Sequence, residues 1–130
     1  MSTSAMDLVQ NARRRIQNLT AEEVAAELEA GALLVDLRES EERREEGVIP
    51  GAVHMPRGLL EFYADPTLPY YRPELTPDRR IILHCSLGGR SALAADLLQQ
   101  MGYKNVAHLD GGLAAWKEAG MPVERANPDS

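Results

Sequence analysis

Three short runs constrain this chain more than any other feature: Leu33-Leu34-Val35-Asp36, Ile81-Ile82-Leu83-His84 and Val106-Ala107-His108-Leu109. Each is almost wholly apolar, shorter than a helix needs, and followed by a turn and a helix-forming segment. Strands of that kind are covered on both faces in a parallel sheet. The segments between them carry their own start and stop signals. Thr20-Ala21-Glu22-Glu23 reads as a capping box, with Leu19 and Val24 placed as a hydrophobic staple, and the helix it opens runs to Ala30 and ends at Gly31. The charged stretch from Glu39 to Glu46 carries a helical turn ended by Gly47, and Val53-His54 forms a further short strand. A helix from Arg90 to Met101 presents Leu93, Leu97, Leu98 and Met101 on one face and stops at Gly102. Asp110-Gly111-Gly112 then turns the chain into a last helix, Leu113 to Ala119, ended by Gly120.

Strands alternating with helices predict an α/β fold, a small parallel sheet with helices on both faces, over residues 20–125. Residues 1–19 read as a leading segment, helical from Met6 to Ile16, and 126–130 as a C-terminal tail. The stretch from Pro56 to Asp78 is broken by five prolines and carries one or two helical turns at Leu59–Tyr63. Connections of that length are often lids or partner surfaces.

Composition narrows the function classes. A length of 130 residues fits one domain, and 44% hydrophobic with 26% charged residues is the balance of a soluble globular protein. Cys85 is the only cysteine, so no internal disulfide forms, and a reducing cytoplasm is the expected compartment. The net charge of −6 argues against nucleic acid as a partner. The one basic cluster, Arg13-Arg14-Arg15, has no aromatic residue within it and reads as a solvated helix face. No apolar run approaches the roughly 20 residues that would cross a membrane, and the N-terminus lacks a secretory layout. His54, His84 and His108 share no ligand spacing with the cysteine, so neither a metal nor a cofactor is expected. His84 should face away from Cys85, Trp116 reads as a packing anchor, and Glu41–Glu46 as a solvated face. Oligomeric state is left open.

Sites in open parallel sheets gather at the carboxyl ends of the strands, where Asp36, Cys85 and Asp110 all fall. Alone, Cys85 would read as a small buried residue. Its context, Cys85-Ser86-Leu87-Gly88-Gly89-Arg90-Ser91, changes that reading. The thiol precedes a helix N-terminus whose unpartnered N–H groups, with the Arg90 guanidinium, favour an anion over a neutral thiol. Gly88 and Gly89 let the loop close tightly, and Arg90 either binds an incoming anion or braces the loop.

This segment resembles the active-site loop of rhodanese domains. Leu34-Val35-Asp36-Leu37-Arg38-Glu39 with Gly47-Val48-Ile49-Pro50-Gly51-Ala52 resembles the family's N-terminal signature. Leu109-Asp110-Gly111-Gly112 with Trp116, Gly120, Met121 and Pro122 resembles its C-terminal one. The resemblance implies a sulfurtransferase in which Cys85 is the catalytic nucleophile. Ser86, Leu87, Gly88, Gly89 and Arg90 would form the substrate-binding loop, supported by Asp36 and Arg38. Its partners would be a small donor, thiosulfate or a persulfide, and a thiol, cyanide or protein acceptor, exchanging sulfur in two displacement steps through a Cys85 persulfide. Two departures refine this. Ser86 stands where many thiosulfate-using members carry a basic side chain, and Val48 stands where a histidine is common. The connection over 57–76 is also longer than in minimal members and is expected to shape acceptor choice.

Two other readings remain. A cysteine phosphatase or arsenate reductase shares the His-Cys…Arg pattern, but places five residues between Cys and Arg where this chain has four. A non-catalytic rhodanese-like module would use the fold for protein contacts alone.

Overall fold

The computed structural model describes residues 2–127. Its centre is one five-stranded sheet of β1 (Gln17–Leu19), β2 (Leu33–Asp36), β3 (Val53–His54), β4 (Ile81–His84) and β5 (Val106–Leu109). The strands lie in the order β1-β5-β4-β2-β3, and every pair is parallel. The helices are α1 (Ala5–Arg15), α2 (Ala21–Glu29), α3 (Ser40–Glu46), α4 (Leu60–Tyr63), α5 (Gly89–Gln100) and α6 (Gly112–Glu118), with a 3₁₀ turn over Arg57–Leu59. Residues 128–130 of the expected tail lie outside the described residues.

The apolar runs behave as two-sided strands. Leu33, Val35, Ile81, Leu83 and Val106 face one cluster with Leu60, Ala94, Ala95 and Leu98. Leu34, Ile82, Ala107 and Leu109 face the other with Val24, Leu113 and Trp116. Alternate residues on a strand point to opposite faces, so each run supplies both layers. Burying such a side chain contributes about 1.5–3 kcal/mol. Thr20 caps α2 through the reciprocal bonds Glu23 N–H to Oγ1 and Thr20 N–H to Glu23 Oε1. Trp116 is buried and its indole N–H donates to Pro122 O at 2.8 Å.

Four local features differ from expectation. Residues 17–19 form an edge strand on β5, because Leu19 is buried and its carbonyl accepts from Asp110 N–H at 2.8 Å. On α5 the buried side chains are Ser91, Ala92, Ala94, Ala95 and Leu98, whereas Leu93 and Leu97 are half-buried and Met101 is exposed. The helix lies between the sheet and α1, and small residues, not the large apolar ones, allow approach on both sides. Arg14 and Arg15 are exposed, as expected of a solvated face, but Arg13 is half-buried against Asp110, and Arg15 also pairs with Asp96, fastening α1. The 57–76 connection is partly core: Leu60, Ala64 and Leu75 are fully buried, and Tyr103 Oη donates to Ala64 O at 2.7 Å.

Candidate active site

β4 delivers Cys85 to a tight loop at the carboxyl edge of the sheet. The thiol is buried and Leu87, at the tip of the loop, is 76% exposed. Gly88 adopts φ +104, a left-handed conformation that a side chain would resist, and caps α5. That turn brings the Gly88 N–H to 3.2 Å from Cys85 Sγ, donating to the sulfur. The loop is tied from beneath. Leu113 N–H donates to Cys85 O at 2.9 Å and Ala114 N–H to Ser86 O at 3.1 Å, both from the first turn of α6. Only glycine allows this approach, since a Cβ on Gly112 would sit 2.6 Å from Cys85 O and from the Ser86 carbonyl.

Arg90 is committed to a partner. Its Nη1 and Nη2 donate to Glu42 Oε1 and Oε2 at 2.8 and 2.7 Å, and Ser86 Oγ donates to Oε2 at 3.0 Å. The Arg90 hydrogen bonds hold the Glu42 carboxyl down at about 2. The expected solvated face of α3 is therefore corrected twice. Glu42 reaches the cysteine loop, and Arg43 is buried with its Nε 3.0 Å from Asp36 Oδ2.

Asp36 and Arg38 lie wholly buried beneath this rim. Arg38 grips the carboxylate through Nε at 3.0 Å and Nη2 at 2.9 Å, and Nη2 also donates to Gly47 O at 2.8 Å. Burial pushes the Asp36 carboxyl up, but the side-chain and backbone hydrogen bonds from Arg38, with the charges of His84 and Arg38, together outweigh it and bring it to about 2. The pair braces β2 and the turn before β3 without touching the sulfur. His84 is buried beside Asp36, its Nε2 3.7 Å from Oδ2, on the sheet face opposite to Cys85.

His108 lies near the thiol. Its Nδ1 is 2.8 Å from Ser91 Oγ, which in turn is 3.6 Å from Cys85 Sγ, and its Nε2 is 2.7 Å from Asn18 Oδ1. Burial lowers its pKa to about 4, so the ring is neutral. The structure gathers Cys85 to Arg90 in one loop, pairs Asp36 with Arg38 away from the sulfur, and engages Asp110 with Arg13. Around the loop the structure also brings Glu42 and Asn18, which the sequence reading left out of the site, Ser91, which it named only as the end of the loop, and His108, which it set aside as a ligand. It is the sheet register that brings His108 to the thiol: Leu83 pairs with His108, and Cys85 lies two residues beyond Leu83, on the same face.

Residues 20–119 match the rhodanese-like domain family. An Allochromatium vinosum sulfurtransferase is 36% identical over 91 residues, covering 70% of this chain and 77% of that one. The chain spans under half the length of several other curated relatives. Among solved structures, a Rhodopseudomonas palustris protein of unknown function, described as a possible tyrosine phosphatase, superposes with a TM-score of 0.90 at 38% identity. That match covers 95% of this chain and 96% of the other. A thiosulfate sulfurtransferase from Pseudomonas aeruginosa gives a TM-score of 0.73 at 29% identity, covering 95% of this chain and 23% of that one.

Proposed function

This chain belongs to the rhodanese-like domain family, and from that premise we propose that it moves sulfane sulfur through a persulfide on Cys85. The observation that carries the proposal is the Gly88 N–H at 3.2 Å from Sγ, on a loop fastened from below by α6. A fixed N–H beside the sulfur is a donor already in place for the negative charge that a transferring sulfur carries. The Cys85 thiolate attacks the outer sulfur of a donor persulfide; a bond forms to Sγ, the donor S–S bond breaks, and its electron pair leaves on the donor thiolate. An acceptor thiolate or cyanide then attacks the outer sulfur of the Cys85 persulfide and returns Sγ as a thiolate. No cofactor enters either step.

The donor we propose is a low-molecular-weight persulfide in preference to thiosulfate. Arg90 is held by Glu42, and Ser86 offers its hydroxyl to the same carboxylate, so the rim presents little free positive charge to a dianion. The acceptor is a thiol, free or on a protein. A lone unbridged thiol of this kind suits the reducing cytoplasm. No helix among the described residues is long and apolar enough to cross a membrane.

The phosphatase reading has less support. Four residues separate Cys85 from Arg90, and each acid near the loop is already paired: Asp110 with Arg13, Glu42 with Arg90 and Asp36 with Arg38. Incubation with glutathione persulfide, followed by mass spectrometry of the intact protein, is the test. A gain of one sulfur on the wild type, none on Cys85→Ser, and slower labelling with thiosulfate are expected. An unlabelled wild type, or turnover of an aryl phosphate, would overturn the assignment.

A further inference from the structure

The chain of side chains behind Cys85 has a defined proton order. Asn18 Nδ2 donates to the Arg13 and Ile16 carbonyls at 3.0 and 3.3 Å, so its Oδ1 is the atom that faces His108. An acceptor at 2.7 Å requires the proton on His108 Nε2, and a neutral ring then has a lone pair on Nδ1. Ser91 has one hydroxyl proton and three neighbours: His108 Nδ1 at 2.8 Å, Gly88 O at 3.3 Å and Cys85 Sγ at 3.6 Å. The short bond to Nδ1 takes that proton. The Ser91 oxygen is left to accept from the thiol, and the row reads Cys85 S–H to Ser91 O–H to His108 Nδ1.

We propose that Ser91, His108 and Asn18 form the path by which the Cys85 thiol proton leaves when the sulfur becomes a nucleophile. The proton on Sγ passes to Ser91 Oγ while the Ser91 proton passes to His108 Nδ1. One proton leaves the sulfur, one arrives on the imidazole, and the new Ser91 O–H points back at the thiolate. Returning along the same path, the proton reaches the thiol once the outer sulfur has gone to the acceptor. Ser91 touches the reacting atom; His108 and Asn18 act through it and are positioning residues.

The charges around this path fit a base that is neutral at rest. Burial keeps the His108 ring unprotonated, and Asp110 and Arg13, paired with one another beside it, act in opposite directions on its charge. At the sulfur end the flanking pair is Arg90 and Glu42. Asn18 lies on β1, outside the residues that match the family, so the leading segment contributes directly to the thiol's surroundings.

The inference rests on Cys85 as the sulfur carrier, but its test does not need sulfur transfer. The probe is iodoacetamide, with the rate of Cys85 alkylation followed from about pH 5 to 10. In the wild type His108 takes the thiol proton through Ser91 as the sulfur attacks, and its ring stays neutral down to about 4, so the rate holds up on the acid side. In Ser91→Ala and His108→Phe the rate at about pH 6 should fall at least about tenfold, short of the roughly 10²–10⁴ of a well-matched general base because this imidazole is a weak one, while rates near pH 10 converge. Asn18→Asp, at an exposed strand position, places a carboxylate against Nε2 and should raise the acid-side rate, whereas Asn18→Ala lowers it. Profiles that keep the wild-type shape, scaled by a constant factor, would overturn the proposal and leave His108 a packing residue. A wild type that follows the expected alkylation profile yet never accepts sulfur would overturn the sulfurtransferase reading and retain the path.

Discussion

Asp36 is the residue on which the support beneath the loop depends, because two guanidinium groups, Arg38 and Arg43, share its carboxylate in a dry setting. Removing one partner of a buried pair strands the other, at a cost of about 3–5 kcal/mol. Asp36→Asn is therefore expected to lose about that much in urea unfolding at neutral pH. The pH dependence has a definite sign. The folded carboxyl titrates at about 2, below its unfolded value of about 4, so its contribution is complete above the unfolded value and lost as pH falls through the folded one. The wild-type advantage over Asp36→Asn should shrink as pH drops from about 4 toward 2. A constant gap across that range would contradict the pairing. The acid and its first arginine were legible in sequence, as the end of an apolar strand and a neighbour two residues on. Arg43 and Glu42 were not, because a run of alternating charge has no apolar period to tell its buried members from its wet ones.

At the scale of elements, the cysteine loop is held between two glycine turns, Gly88 at the start of α5 and Gly111-Gly112 at the start of α6. Gly112→Ala sets a Cβ against the Cys85 and Ser86 carbonyls and also forces a left-handed residue to carry a side chain, with φ +60. The strain is expected to cost about 1–3 kcal/mol and to lower the melting temperature accordingly. Slower persulfide formation should accompany it, read by mass spectrometry, because the N–H beside Sγ shifts with the loop. Strand–turn–helix units were plain from apolar runs and glycine stops. The face of α5 was not, since periodicity weighs Leu93 and Met101 above Ala94 and Ala95, and only the sheet and α1 together reveal why small side chains are the buried ones.

For the molecule as a whole, the leading segment is integrated with the sheet. Val9 and Ala12 pack against Ala92, β1 completes one edge, and Asn18 reaches His108. Deleting residues 1–19 is expected to lower the melting temperature by about 10 °C or more, measured by scanning calorimetry, as a loss of a few kcal/mol does in a domain of this size. An unchanged transition would show that the remaining chain stands alone. Sequence reading underestimated this segment because a three-residue strand with one buried side chain carries almost no pattern of its own.

The two outermost strands, β1 and β3, are three and two residues long. An open row of unpaired amides is what recruits a foreign strand and seeds fibrils, and here each border is too brief to template one. A domain whose cysteine loop reaches the surface at Leu87 thus leaves little open backbone for a foreign strand to join.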